Sequence, residues 1–185
     1  IRLFILSDSP PEKDIQWSEQ GMAAAYKFIQ KLWVMHEKIK IKLKNEKITE
    51  NETDTTSEFI NIFINKITQN LEKFSYNVII ANLYEIYNLL NKEINNSGNL
   101  KNFKINYIKI LKIMIPIIPH YANECLSEIS SKNVFNWPEI DKTFLQKKDF
   151  QIVIQINGKK RSIINLFKEI KEKDLIKKIK EDKLL

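Results

Sequence analysis

Side chains that could act as nucleophiles or metal ligands are scarce in this 185-residue sequence. It holds one cysteine, Cys125, and two histidines, His36 and His120, which stand far apart. We predict that each histidine packs in the core or caps a helix, and that Cys125, on an apolar helical stripe, is a core thiol. The sequence has neither a glycine-rich phosphate loop nor paired metal ligands. It therefore predicts no catalytic residue, no metal site and no cofactor held by this chain.

Basic side chains offer a different kind of chemistry. Lysine and arginine number 30 against 23 aspartate and glutamate residues, which gives a formal net charge of +7. Only Arg2 and Arg161 are arginines. An excess of this kind suits a polyanion such as RNA. A general bias toward lysine, isoleucine and asparagine explains it equally well, so charge alone leaves both interpretations open.

Apolar residues at three-four spacing predict the elements that must position these side chains. The fold class is mainly α, an antiparallel helical bundle followed by a small, incomplete α/β appendage. Helices are predicted over 18–44, 55–74, 77–94 and 100–131, the last one broken at Pro116 and Pro119. We expect Trp33 and Tyr84 to be buried in the shared core. No apolar stretch is long enough for a membrane span, and a single cysteine fits a reducing cytoplasm.

From Asp149 the apolar period changes to two, which predicts a strand and, with Asn157-Gly158, a hairpin. A two-residue turn would pair Ile156 with Lys159 and place basic residues on the isoleucine face. A three-residue turn with a glycine bulge shifts the register by one and brings Ile164 onto that face. We favour the second register because it resolves the conflict. A last helix is predicted over 172–180, and the chain looks cut at both ends.

Short motifs are distributed along the whole chain. The first joins an Arg-Leu-Phe run, a Pro-Pro-Glu loop, an Asp-x-x-Trp, a glycine and a Leu-Trp pair, at Arg2, Leu3, Phe4, Pro10, Pro11, Glu12, Asp14, Trp17, Gly21, Leu32 and Trp33. The others are KFSYNVIIA at 73–81, PIIPHYANECL at 116–126, WPEID at 137–141 and VIQINGKKR at 153–161. In this order they resemble the leucyl-tRNA synthetases of the bacterial type over nearly the whole chain. Lys73 and Ser162 depart from the family pattern, which has arginine and glycine there.

The resemblance implies a domain organisation. Residues 1–16 would connect from an absent catalytic core, residues 17–148 would form the anticodon-binding-type helical bundle, and residues 149–185 would begin the small C-terminal domain. The family attaches leucine to its tRNA using ATP and Mg²⁺. The family's catalytic signatures, HIGH and KMSKS, do not occur in this sequence. The resemblance therefore implies a cytoplasmic, tRNA-positioning portion that is not catalytic by itself.

Lysine contacts to the tRNA backbone are the binding mode that the resemblance implies. Lys66 and Lys73 are seven residues apart and share a predicted helix face, and Lys73 matches a basic position of the family. Lys159, Lys160 and Arg161 of the hairpin complete the candidate set. We expect a monomer whose exposed edge strand could pair with a neighbouring chain. The alternative is a helical protein-interaction scaffold with a solvated, lysine-rich surface.

Overall fold

The computed structural model of the chain describes residues 1–45, 56–96, 100–130, 136–145, 150–156 and 159–166. The chain divides into two compact units, Ile1–Phe144 and Leu145–Leu185, and each is described by itself. Six helices form the first unit: α1 (Arg2–Asp8), α2 (Glu19–Asn45), α3 (Thr56–Glu72), α4 (Tyr76–Asn96), α5 (Leu100–Met114) and α6 (Pro119–Ile129). Within the described ranges, none of the helices is long and apolar enough to cross a membrane. The predicted helical bundle is confirmed.

Helix packing follows the apolar stripes of the sequence. α3 packs against α4 and α5, α5 packs against α6, and α2 packs against α4 and α6, while α1 lies on α4 and α2. Each helix contributes buried side chains to one core, and the fully buried ones include Leu32, Met35, Ile64, Ile67, Leu83, Ile86, Phe103 and Ile110. Burial of such apolar area is the main favourable contribution to folding. Because the helices share one core, their packing sets the side of the bundle on which each exposed lysine lies.

Local signals set the helix ends. Ser18 caps α2, because its hydroxyl accepts a hydrogen bond from the Gly21 N–H at 3.1 Å. α5 ends at Met114, and α6 begins at Pro119, where a missing N–H costs the helix nothing. Helix α1 was not predicted. Its seven residues are too few to display a period.

The junction between α3 and α4 is a tight turn with an unusual residue in it. Phe74 has a φ of 54°, the left-handed region that glycine normally occupies. The N–H of Phe74 donates to the Leu71 carbonyl at 3.1 Å, and the N–H of Ser75 donates to the Asn70 carbonyl at 2.9 Å. These two bonds are the Schellman pattern that closes a helix. Phe74 is 59% exposed, so burial of its ring does not explain the strained backbone.

Two predicted core aromatics are not buried. Trp33 is 38% exposed and Tyr84 is 42% exposed, so the prediction for both is wrong. Each lies at the border of its helix's apolar stripe, and coverage there depends on how far the neighbouring helix reaches. The Tyr84 ring stacks on Phe28 at 3.8 Å between centroids, and Trp33 meets Tyr121 edge-on at 6.1 Å. Both aromatic rings therefore line the edge of the core instead of filling it.

The second unit contains an antiparallel hairpin, β1 (Phe150–Ile156) and β2 (Lys159–Leu166). Ile156 pairs with Lys159, so the predicted three-residue turn is wrong. The expected one-residue shift is nevertheless present, because a bulge at Ile154/Gln155 pairs Ile154 with Ser162 and leaves Arg161 as the extra residue. Beyond the bulge, Ile152 pairs with Ile164, as the favoured register predicted. The Asn157-Gly158 turn and the helix predicted over 172–180 lie outside the described residues.

Candidate nucleic-acid interface

Charge is segregated by helix within the bundle. α2 carries six lysines and two glutamates, and α5 carries four lysines and no acidic residue. α3 and α4 each carry one lysine and two glutamates, and α6 carries two glutamates and no lysine or arginine. Positive charge is therefore concentrated on two of the six described helices. A polyanion is attracted to such a concentration more strongly than to the same charges mixed with acidic ones.

Lys66 lies on a helix of the opposite character. Its side chain is exposed on α3, where Glu58 and Glu72 are the other charged residues. The Lys66 ammonium lies 4.0 Å from Glu85 of α4 and 5.3 Å from the centre of the Phe63 ring. A neighbouring carboxylate and an aromatic face both compensate a positive charge. Lys66 is nevertheless exposed, and its ion pair with Glu85 is weak because both side chains are about half exposed.

Lys73 occupies the turn after α3. It is exposed, and its backbone N–H still donates to the Gln69 carbonyl at 3.2 Å, which continues the last helical turn. The strained Phe74 follows it directly, and the Phe74 and Tyr76 rings meet edge-on at 6.1 Å. An exposed aromatic side chain, Phe74, therefore follows the exposed Lys73 directly in the chain.

The other three predicted residues belong to the second unit. Lys159, Lys160 and Arg161 are consecutive at the start of β2. Lys159 pairs with Ile156 and Lys160 pairs with Gln155, while Arg161 is the extra residue of the bulge. Bulges locally break the alternation of a strand. These three residues thus belong to one unit and Lys66 and Lys73 belong to the other.

Sequence reasoning missed a row of lysines on α2. Lys27, Lys31 and Lys38 are all exposed, and none of them forms an ion pair with another described residue. Their spacing of four and seven residues places all three on one face of the helix. This spacing is visible in the sequence. The apolar stripe of α2, which predicts the core face, carries no information about the polar face.

A cluster of charged side chains joins α2 to α6. The His36 Nε2 lies 2.9 Å from a Glu128 oxygen, and the Lys40 ammonium donates to the same oxygen at 2.8 Å and to Glu37 at 2.7 Å. His36, Glu37 and Glu128 could in principle ligate a metal ion. The Lys40 ammonium already compensates the negative charge of Glu37 and Glu128, as a metal ion would do. The hydrogen bonds to Glu128 and Glu37 raise the pKa of Lys40. The hydrogen bond from Lys40, and to a smaller extent the one with His36, lowers the pKa of Glu128.

The remaining residues with potential chemistry are structural or solvated. His36 is fully buried and its Nδ1 lies 3.0 Å from the Tyr107 hydroxyl, which confirms its prediction as a packed histidine. His120 is exposed in the first turn of α6, so it is not packed in the core. Cys125 is fully buried, and burial raises the pKa of its thiol to about 12. A thiol with such a pKa is not a nucleophile at neutral pH.

Comparison with known proteins places this bundle in a family. Residues 57–177 match the family model described as the anticodon-binding domain of tRNA ligase. The leucine–tRNA ligase of Orientia tsutsugamushi (strain Boryong) is 34% identical over 180 residues, which are 94% of this chain and 21% of that protein. The leucine–tRNA ligase of Rickettsia bellii (strain RML369-C) is 34% identical over 183 residues, which are 97% of this chain and 21% of that protein. The chain thus spans about a fifth of the length of these curated relatives.

A solved structure supports the fold independently. The agnB2 LeuRS of Agrobacterium radiobacter K84, crystallised in a ternary complex with tRNA and LeuAMS, superposes with a TM-score of 0.74. The match covers 96% of this chain and 24% of that chain at 18% identity, so it concerns the fold alone. The family match covers more than half of the sequence and includes α3 to α6 of the bundle. The chain belongs to the family of anticodon-binding domains of tRNA ligases.

Proposed function

We propose that this chain is the tRNA-binding and positioning portion of a leucine–tRNA ligase, which attaches leucine to its tRNA with ATP. The observation that carries the proposal is the family match over residues 57–177. Similarity to leucine–tRNA ligases over 94% of the chain supports the choice of amino acid. The chain supplies positioning, while ATP and Mg²⁺ act in the catalytic part of the complete enzyme. The complete enzyme works in the cytoplasm.

The physical role of the bundle is to hold the body of the tRNA at a fixed distance and angle from the catalytic part. A packed core of long helices suits this role because it resists bending. Contacts from lysine to phosphate fix the orientation of an RNA without reading its bases. Affinity that depends on such contacts falls steeply as salt concentration rises.

Charge segregation favours RNA binding over a protein-interaction scaffold. A solvated scaffold would mix its lysines with acidic residues on each helix, as α3 and α4 do. α5 carries four lysines over fifteen residues and no acidic residue, and α2 has three times as many lysines as glutamates. Repulsion between like charges disfavours such grouping unless an anion compensates it. This distribution supports a polyanionic partner.

A charging assay with the complete enzyme that carries this chain tests the proposal. We expect leucine, in preference to isoleucine or valine, to be attached to its tRNA. We also expect Lys73→Glu to weaken tRNA binding and to flatten its dependence on salt, while leucine activation without tRNA is unchanged. Lys66→Glu is the matched control, because Lys66 already has Glu85 as a partner and should matter less. Failure of the complete enzyme to charge any tRNA with leucine would contradict the proposal.

The hairpin offers a second test in the other unit. We propose that Lys159, Lys160 and Arg161 also contact tRNA phosphate. Arg161→Ala in the complete enzyme should then raise the KM for tRNA and leave leucine activation intact. Loss of both activities to the same extent would indicate a folding defect and would remove Arg161 from the binding surface.

A further inference from the structure

We propose that Lys27, Lys31 and Lys38 of α2, bordered by Tyr84 of α4, form the main surface on which the bundle binds the phosphate backbone of RNA. We call these four residues the α2 strip. The inference rests on the proposed function and deepens it. It names a surface different from α3, where sequence reasoning located Lys66 and Lys73.

The α2 strip has the geometry of a linear cationic track. With a rise of about 1.5 Å per residue, Lys31 lies about 6 Å along the helix from Lys27, and Lys38 lies about 10 Å further on. At about 100° per residue, the three Cα positions fall within an arc of about 40° around the helix axis. A rigid helix therefore presents three ammonium groups in one line over about 16 Å.

The lysines of the α2 strip form no ion pair with any residue that the structure describes, and this distinguishes them from Lys40 on the same helix. Lys40 is held by Glu37 and Glu128, and Lys42 donates to the Ile94 carbonyl of α4 at 2.6 Å. Lys27, Lys31 and Lys38 are exposed and form no ion pair within the described part of the chain. Lys40 and Lys42 thus form contacts within the bundle, whereas the three lysines of the strip are exposed to solvent.

No acidic side chain of α2 shares the face of the strip. Glu19 and Glu37, the two glutamates of the helix, lie about 100° around the axis from the centre of the lysine row. Gln20, Ala24 and Val34 fall on or beside the row and carry no charge. An anion that approaches this face meets three cations and no carboxylate of the same helix. Uncompensated exposed cations of this kind supply the electrostatic part of RNA binding.

Tyr84 supplies an aromatic border to the strip. Its ring stacks on Phe28 of α2 at 3.8 Å, and Phe28 follows Lys27 directly in the chain. Tyr84 is 42% exposed, so part of this side chain remains accessible to solvent. The contact of Lys42 with the end of α4 confirms that this side of α2 is turned toward α4. Aromatic rings beside cationic tracks bind unstacked bases and sugars.

The test compares two matched triple variants in the complete enzyme. Lys27→Gln, Lys31→Gln and Lys38→Gln together remove the charge of the strip while keeping good helix formers. Lys104→Gln, Lys109→Gln and Lys112→Gln together remove the same charge from α5. For each we measure the KM and Kd for tRNA at several salt concentrations, with leucine activation as the measure of correct folding.

We expect the α2 triple variant to raise the Kd for tRNA at least about tenfold and to reduce the slope of log K against log salt by about 2 to 3, since three phosphate contacts are lost. The α5 triple variant should change the slope by less than half as much. Tyr84→Leu, which keeps an apolar contact with Phe28, should raise the Kd at least about fivefold. Leucine activation should be unchanged in all three.

Two results would overturn the inference while the proposed function stands. If the α2 triple variant binds tRNA as the parent enzyme does, the strip is a solvated face. If both triple variants weaken binding equally, net charge and not the α2 strip is responsible. An unchanged Kd for Tyr84→Leu removes the aromatic border from the proposal. If the parent enzyme charges no tRNA, the proposed function itself fails, and the strip then has to be tested against an acidic protein surface.

Discussion

His36 on α2 and Tyr107 on α5 are joined inside the core, where the histidine Nδ1 lies 3.0 Å from the tyrosine hydroxyl. Both side chains are buried, and the other ring nitrogen of His36 lies 2.9 Å from Glu128 of α6. One ring nitrogen of His36 thus meets the Tyr107 hydroxyl and the other meets the Glu128 carboxylate, so both polar atoms of the buried ring have a partner. One side chain therefore ties three helices together through polar contacts.

The first prediction concerns this tie. His36→Leu should lower the free energy of unfolding by about 1–3 kcal/mol, because the buried Tyr107 hydroxyl then keeps only its hydrogen bond with Tyr121 and Glu128 loses its contact with the imidazole. Urea unfolding of the isolated chain measures the change. In the double variant His36→Leu with Tyr107→Phe, both partners are apolar and much of the loss should be recovered. A double variant that is as unstable as the sum of the two single ones would show that the two residues act independently.

The second prediction concerns alkaline stability. Burial raises the pKa of Cys125 to about 12, so the folded state keeps a proton that the unfolded state releases from about pH 9 upward. The unfolded state then binds fewer protons, and the free energy of unfolding falls as pH rises from about 9 to about 12. The contribution of one such group approaches about 1.4 kcal/mol per pH unit.

Cys125→Ala isolates this contribution. The variant loses stability at every pH because it leaves a small cavity, but its stability should fall less steeply with pH than that of the parent chain. The pKa values of Tyr107 and Tyr121 are raised first by burial, which the variant keeps, and to a smaller extent by Cys125, so most of their slope is common to both proteins. Parallel pH profiles of the two proteins between pH 9 and 11 would contradict the assignment.

Periodicity predicted the bundle well because each helix buries a continuous stripe. The observed α2, Glu19–Asn45, differs by one residue at each end from the predicted 18–44. The predicted break at Pro116 and Pro119 is present, since proline lacks the N–H that a helix interior needs. Trp33 and Tyr84 show the limit of the method. An apolar stripe defines the face of a helix that is buried. The exposure of residues at the edge of the stripe depends on the distance and angle of the next helix, and the sequence period of one helix does not predict these.

The candidate site was less predictable for a related reason. Lys66 was chosen for its helix face, yet its compensation by Glu85 is a contact between two helices and follows only from their packing. Lys27, Lys31 and Lys38 have equally regular spacing, but their freedom from partners is also a tertiary property. Sequence reveals which lysines share a face. Only the assembled bundle reveals which of those faces lacks acidic neighbours.

The third prediction concerns the docking of α1. Gly21 lets the buried Phe4 ring approach α2 so closely that a Cβ at position 21 would lie 2.5 Å from Phe4 Cε2. Gly21→Ala should therefore destabilise the chain by about 1–3 kcal/mol through overpacking, although alanine is intrinsically the better helix former by about 1 kcal/mol. The Phe4 ring cannot easily move away, because it also packs edge-on against Trp17 at 5.7 Å.

A smaller partner provides the control for this contact. Phe4→Leu alone should be destabilising, but adding Gly21→Ala to it should cost little or even stabilise, since the clash is gone and the helix propensity remains. Thermal unfolding of the four proteins in the cycle gives the coupling energy between the two positions. A coupling energy near zero would show that Phe4 does not limit the residue at position 21.

The last prediction concerns Phe74, whose φ of 54° lies in the left-handed region. A residue with a Cβ pays about 1–2 kcal/mol there, and glycine does not. Phe74→Gly should therefore be about 1 kcal/mol more stable than Phe74→Ala, because both remove the exposed ring and only alanine keeps the backbone strain. Asn88, exposed within α4, is the matched position. There the order should reverse, since glycine is about 1 kcal/mol worse than alanine in a helix interior. Chemical unfolding of the four variants measures both differences, and a Phe74 pair that follows the Asn88 order would show that position 74 does not hold the left-handed conformation in solution.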